Sequence, residues 1–166
     1  MTEVADVSIR PAVPGDAAAI HALILELAEY ERLTHLCTGS TAELADALFG
    51  PRPAAEVLLA EVDGAVAGFA LFFHNFSTFL ARRGLWLEDL YVRPAFRGHG
   101  VGSRLLRAVA AIALDRRCGR FEWSVLDWNA PAIGFYERLG ATVMPDWRIA
   151  RVTGDALDRL GRPAAD

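Results

Sequence analysis

Arg97-Gly98-His99-Gly100-Val101-Gly102 places three glycines in six residues, between an apolar strand pattern and an amphipathic helix pattern. Glycine lets a backbone approach a ligand closely, and a helix starting directly after such a turn presents free N–H groups, so this segment is expected to hold a phosphate. The chain contains no lysine, which excludes a Walker loop of the form G-x-x-x-x-G-K-[ST]. The dinucleotide spacing G-x-G-x-x-G also fails, because Gly102 comes one residue early and the turn does not follow the first strand. Upstream, Glu88 and Asp89 stand side by side between the apolar flanks Trp86-Leu87 and Leu90-Tyr91. Acids are seldom set among apolar residues unless they have a partner or a task. Adjacent residues of a strand point to opposite faces, so only one of the two can face a common site unless a bulge intervenes.

Other chemistries find little support. His21, His35, His74 and His99 form no H-x-x-x-H pair, and Cys37 and Cys118 have no metal-ligand spacing, so no metal is expected. Two cysteines are too few for a disulfide framework and are read as reduced, buried thiols. The 17 basic residues, all arginine, are outnumbered by 21 acids, giving a net charge of -4. That is the wrong sign for nucleic acid, whereas a small cationic ligand suits the field. The longest apolar run, Val66 to Phe73, is far shorter than the ~18 residues of a membrane span, and the first residues carry acids where a signal peptide carries bases. A cytoplasmic protein with no membrane partner is the expectation.

The elements that must position these residues follow from periodicity. With 166 residues, 53% of them hydrophobic, the chain is expected to form a single domain over residues 1–166, its core about 7–155. Val7 to Arg10 reads as a strand. Asp16 then caps a helix with Ile20, Leu23, Ile24 and Leu27 on one face, running to about Arg32. Ser40 and Glu43 make a capping box for a short helix stopped by Gly50 and Pro51. Val57 to Val62 and Ala65 to Phe73 form a hairpin through Asp63-Gly64, and Leu85 to Val92 is the next strand. A helix follows from about Val101 to Arg117, then a strand from Phe121 to Leu126, then a helix with Asn129 as cap, Pro131 in its first turn and Gly140 past its end. Ala141 to Met144 and Trp147 to Val152 are expected as two last strands, with a frayed tail from Gly161. The sum is an α/β fold with a mixed, mostly antiparallel sheet of about seven strands and four helices, in the order β-α-α-β-β-β-α-β-α-β-β.

With the glycine turn in place, the segments from Leu87 to Pro94 and from Trp128 to Ala141 resemble the GNAT acetyltransferase superfamily, and the order of elements matches that fold. Within it the chain is similar to the spermidine/spermine and thialysine acetyltransferase branch, through Glu26-Leu27-Ala28-Glu29-Tyr30-Glu31, Leu87-Glu88-Asp89, Trp128-Asn129 and Trp147-Arg148. The resemblance covers about residues 7 to 155, and Leu85 to Ala141 is its specific part.

The resemblance implies an acetyl-CoA-dependent N-acetyltransferase that transfers acetyl directly to a small primary amine and works as a homodimer. The backbone of Leu90, Tyr91 and Val92 would pair with the pantetheine arm. Arg97, Gly98, His99, Gly100, Val101 and Gly102 would hold the pyrophosphate. Asn129 and Tyr136 correspond to coenzyme-facing residues, with the tyrosine hydroxyl protonating the departing thiolate. A thiol of pKa near 8.5 needs only modest help from a phenol of pKa about 10. An alkylammonium of pKa about 10.4 must lose a proton before it attacks a thioester, so a nearby carboxylate is useful. By resemblance Glu88 is that base. Tyr30, Glu31, Asp89, Glu122, Trp123 and Ser124 correspond to amine contacts, where aromatic faces and carboxylates suit ammonium groups. Ser77-Thr78 stands where spermidine enzymes carry an acid and Arg83 adds positive charge, which points to thialysine, lysine-like amino acids or short diamines. A peptide acetyltransferase and a non-catalytic CoA sensor are the alternatives.

Overall fold

The computed structural model describes residues 6–162, which divide into two compact units, one ending at Ser124 and one beginning at Val125. The first unit is a five-stranded sheet in the order β1-β2-β3-β4-β5. Its strands are β1 (Val7–Pro11), β2 (Glu56–Val62), β3 (Ala65–Ser77), β4 (Arg82–Val92) and β5 (Phe121–Trp123). All neighbours are antiparallel except β4 and β5, which run parallel because α3 (Val101–Asp115) crosses over between them. Helices α1 (Ala17–Tyr30) and α2 (Thr41–Phe49) cover one face, where Ile20, Leu23, Leu27 and Leu48 meet Val57, Leu59, Phe69, Leu71 and Tyr91. The opposite face takes α3, which buries Val101, Leu105, Leu106, Val109 and Ala113. Fully buried Phe69, Phe72 and Leu85 each contribute about 1.5–3 kcal/mol of apolar transfer energy.

Local signals act as their chemistry dictates. Asp63 and Gly64 both adopt positive φ, 50° and 79°, as the two central residues of a twisted two-residue hairpin must. Ser40 and Glu43 close the capping box reciprocally, Ser40 N–H donating to Glu43 Oε2 at 2.8 Å and Glu43 N–H to Ser40 Oγ at 3.2 Å. Asp16 sits at the N-cap of α1 but makes no side-chain cap bond. Its carboxylate accepts instead from the Val13 N–H and the Arg10 guanidinium, which holds it below the usual carboxylate range. Arg10 also reaches Glu61 on β2, tying β1, β2 and the start of α1 together.

The second unit departs from the sequence expectation. It holds α4 (Ala130–Arg138) and α5 (Gly154–Gly161), with irregular chain between them. The sheet thus has five strands rather than seven, and the α-helices number five rather than four among the described residues. Residues 141–144 and 147–152 are rich in apolar residues but pair with no described strand, and Met144, Trp147 and Ile149 are exposed. An apolar segment makes a strand only where a second backbone lies alongside. The expected frayed tail begins with ordered helix, since α5 runs through Gly161; residues 163–166 lie outside the described residues. The thiols of Cys37 and Cys118 are free but half-buried rather than buried.

Candidate active site

The chemistry of β4 lies where the strand is irregular. Leu87 stands opposite Phe72 on β3, but the next register pair is Asp89 with Leu71, which leaves Glu88 as an extra residue in a β-bulge. Leu71, Phe69 and Tyr91 belong to the face covered by α1 and α2, whereas Phe72 points to the opposite face. Leu85 and Leu87 therefore share the α3 face, and the bulge turns Asp89 to the α1 face. Glu88 accompanies it, because its Oε2 accepts from the indole Nε1–H of Trp86, two residues earlier, at 2.9 Å. The condition the sequence left open is met, and both carboxylates serve one side of the sheet.

The bulge also reverses the backbone. Leu85 N–H points toward β5, donating to Arg120 O at 3.0 Å, while beyond the bulge Arg93 N–H points to β3, donating to Ala67 O at 2.9 Å. Leu90 and Val92 consequently turn their N–H and C=O groups to the other edge. No described strand reaches them there, since β5 pairs with β4 only as far as Leu87 with Trp123. One group on this edge is engaged: Val92 O accepts from Arg97 Nε at 2.8 Å. The rest is a strand edge able to pair with an extended polar chain.

Burial pushes the Asp89 carboxyl up to about 7, and the nearby Glu88 and Glu31 carboxylates push it in the same direction. Glu31 follows the last residue of α1 and is itself raised by burial. Tyr30 precedes it, and the Arg97 guanidinium lies 5.2 Å from its ring centroid and 5.6 Å from that of Tyr91. The end of β4 is fixed to α1 by Arg93, whose guanidinium contacts both carboxylate oxygens of Glu26 and donates to Val66 O. The structure thus brings Glu31, Glu88 and Asp89 together, and Tyr30, Tyr91 and Arg97 together.

After β4 the glycine turn has the geometry its composition predicts. Gly98 and Gly100 lie at φ 82° and 76°, and Gly100 is the N-cap of α3. The first helical bond runs from Arg104 N–H to Gly100 O, so the N–H groups of Val101, Gly102 and Ser103 precede the ladder, and His99 is exposed.

The expected contacts on β5 are not part of the carboxylate group. Glu122 is paired with Arg120 at 2.7 Å, Trp123 packs its ring on Phe121 at 5.0 Å, and exposed Ser124 ends the first unit. In the second unit Asn129 is buried and its side chain accepts from Ala132 N–H, capping α4 as predicted. Tyr136 is half-buried on that helix, its ring tilted against Phe135 at 5.3 Å.

Two features escaped the sequence reading. One is the Trp86–Glu88 bond, whose only signal was a tryptophan two residues before an acid on one strand. The other is a polar cluster of His74, Arg116, Glu56 and Cys118. There the His74 Nδ1 contacts the Gly84 carbonyl at 3.1 Å and its Nε2 contacts the Arg116 guanidinium at 3.0 Å. A carbonyl only accepts and a guanidinium only donates, so the proton sits on Nδ1 and no lone pair faces the Cys118 thiol, 3.9 Å from Nδ1. This pair is not an activated nucleophile. Among the described residues no group of three or more His, Cys, Asp or Glu side chains could hold a metal.

Residues 22–141 match the model of the acetyltransferase (GNAT) family. The chain belongs to that family. It is 38% identical to an L-ornithine N5-acetyltransferase of Arabidopsis thaliana, covering 93% of this chain and 87% of the relative. It is also 38% identical to a thialysine N-epsilon-acetyltransferase of Sus scrofa, covering 94% and 98%. An integron cassette protein from the mobile metagenome of V. cholerae superposes with a TM-score of 0.80 at 25% identity, over 95% of this chain and 98% of that one. The GNAT fold expected from the glycine turn and the β4 segment is therefore present, and acetyltransferases of this family use acetyl-CoA.

Proposed function

We propose that this N-acetyltransferase moves the acetyl group of acetyl-CoA directly to the terminal amine of a short diamino acid such as thialysine or ornithine. The observation that carries this reading is the bulge at Glu88, which sets an acidic group beside an open strand edge. Acetyl-CoA supplies an activated thioester. The outward N–H and C=O groups of Leu90 and Val92 suit its amide-bearing pantetheine arm. The Gly98 and Gly100 turn with the start of α3 suits its pyrophosphate, and Arg97 would exchange the Val92 carbonyl for that anion. By the family resemblance alone, Asn129 and Tyr136 are coenzyme-facing residues, with Tyr136 giving a proton to the leaving thiolate. Glu88 and Asp89 supply the carboxylate chemistry, one taking the ammonium proton and the other holding the amine. Glu31 and Tyr30 receive the distal cationic group. Glu122 and Trp123 have a smaller share, since Arg120 already neutralises Glu122. A homodimer is part of the same proposal and rests on the family resemblance, and a cytoplasmic location is proposed from the composition of the chain.

The names of the relatives favour a short acceptor, and so does the charge count. Three carboxylates are grouped, and one of them, Asp89, is held near 7 and carries a proton much of the time. Fewer than three negative charges face the three positive charges of spermidine. Ser77 adds none, being buried with its Oγ accepting the Leu80 N–H within the β3–β4 turn. An ammonium left unpaired in a partly desolvated site is costly. Thialysine and ornithine should therefore exceed spermidine in kcat/KM by about tenfold or more, equal to about 1.4 kcal/mol. Glu31→Gln should narrow that gap. A side-by-side thiol-release assay over these amines checks it. Spermidine ranking first would overturn the assignment.

A further inference from the structure

We propose that Arg97 is an internal stand-in for the distal cation of the amine, held on the Tyr30 ring until coenzyme A draws it away, so that coenzyme binding opens the amine site. This deepens the reading of the chain as an acetyltransferase of short diamino acids and rests on it. Arg97 follows the short turn after β4, and its side chain reaches two places at once. Its Nε donates to the Val92 carbonyl at 2.8 Å, on the open strand edge assigned to the pantetheine arm. Its guanidinium carbon lies 5.2 Å from the ring centroid of Tyr30 and 5.6 Å from that of Tyr91. Tyr30 directly precedes Glu31, and these two residues are the ones assigned to the distal ammonium. One side chain therefore spans a coenzyme contact and an amine contact.

A guanidinium over an aromatic ring uses the same quadrupole attraction that would hold an alkylammonium there, and one ring face holds one cation. The distal ammonium can take the Tyr30 face only when Arg97 has left it. The contacts of Arg97 are of a kind that exchanges. Arg93, four residues earlier, is fixed by both carboxylate oxygens of Glu26 and by Val66 O, whereas among the described residues no carboxylate pairs with Arg97. Arg97 and Tyr30 are both exposed, and a neutral carbonyl with an exposed ring holds a cation less firmly than a charge-assisted bond to phosphate oxygen does. The Gly98 and Gly100 turn assigned to that phosphate begins at the next residue, so rotation of the Arg97 side chain suffices for the exchange. Departure of the guanidinium frees the Val92 carbonyl and the Tyr30 face together. By linkage, coenzyme and amine then tighten each other by one common factor. An amine without a distal cation makes no use of the Tyr30 face and escapes this coupling.

Calorimetric titration with thialysine and with butylamine, each in the absence of coenzyme and at saturating CoA, tests this without turnover. CoA should tighten thialysine by roughly fivefold or more and change butylamine by less than about twofold. The butylamine arm removes the general attraction between an anionic coenzyme and any cation. Arg97→Gln without CoA should bind thialysine about as tightly as the CoA-saturated wild type, and CoA should add nothing further. Nitrogen-15 NMR supplies a readout independent of the amine. The Arg97 Nε–H resonance, identified by its loss in Arg97→Gln, should move when CoA is added and move also in Tyr30→Leu. Thialysine binding to Arg97→Gln no more tightly than to the coenzyme-free wild type, coupling that survives in that variant, equal coupling for butylamine, or an Nε–H resonance unmoved by CoA overturns the proposal and leaves the acetyltransferase reading intact. Thialysine that binds under none of these conditions overturns the acceptor assignment as well.

Discussion

Gly100→Val should give a folded protein whose melting temperature no longer responds to acetyl-CoA. A ligand that binds only the folded state stabilises it by about 2.7 kcal/mol at a hundredfold excess over Kd, and a chain of this length gains about 2–4 °C per kcal/mol. The wild-type rise should therefore be about 5–10 °C. Gly100 adopts φ 76°, where a β-branched residue is strained by at least about 1–2 kcal/mol. An added Cβ would have no neighbour within 4 Å, so the strain is relieved by rearranging the exposed turn rather than by unpacking the core. That rearrangement redirects the N–H groups at the start of α3. Gly39 also has open space around a new Cβ but is not among the glycines with positive φ, which makes Gly39→Ala the control that keeps the response. A normal acetyl-CoA shift in Gly100→Val would remove the phosphate assignment.

Asp89→Asn should be more stable than the wild type at pH 8 and no more stable at pH 3. Asp89 titrates at about 7 in the folded chain against 3.8 for the unperturbed group. Between those values the folded state holds a proton that the unfolded state has released, so stability falls as pH rises through this window. Below the lower value both states are protonated and the difference vanishes; above the upper one it is complete. Three units correspond to about 4 kcal/mol, and partial exposure reduces this to about 2 kcal/mol, or a rise of about 4–8 °C in Tm. Thermal melts of the two proteins across this range provide the check. A variant less stable than wild type at pH 8 would mean that the carboxylate is well satisfied in the fold. The predicted gain is that expected of a site where function is kept at the expense of stability.

Much of the first unit is legible in the sequence because its signals are local. The Ser40–Glu43 box, the Asp63-Gly64 turn and the apolar stripes of α1 and α3 each specify their own geometry. The strands expected at 141–144 and 147–152 fail because pairing is not local, and α5 was missed because its eight residues carry few apolar side chains. The site divides along the same line. The glycine turn is written in residue types. The roles of Glu88 and Asp89 depend instead on the register of β3 against β4, which periodicity cannot supply, since unbroken alternation through Leu85, Leu87 and Tyr91 would put Glu88 and Asp89 on opposite faces. Arg97 shows the same limit, being readable as an anion contact but not as a side chain set near the rings of Tyr30 and Tyr91.

The central claim is acetyl transfer to a small primary amine. It is tested most directly by incubating the protein with acetyl-CoA and thialysine, following free thiol and identifying the product by mass spectrometry. Thiol release that requires both substrates, matched mole for mole by N-acetylated thialysine, is the predicted result. Acetyl-CoA that raises the melting temperature without amine-dependent thiol release from thialysine, ornithine or any short diamine would contradict it.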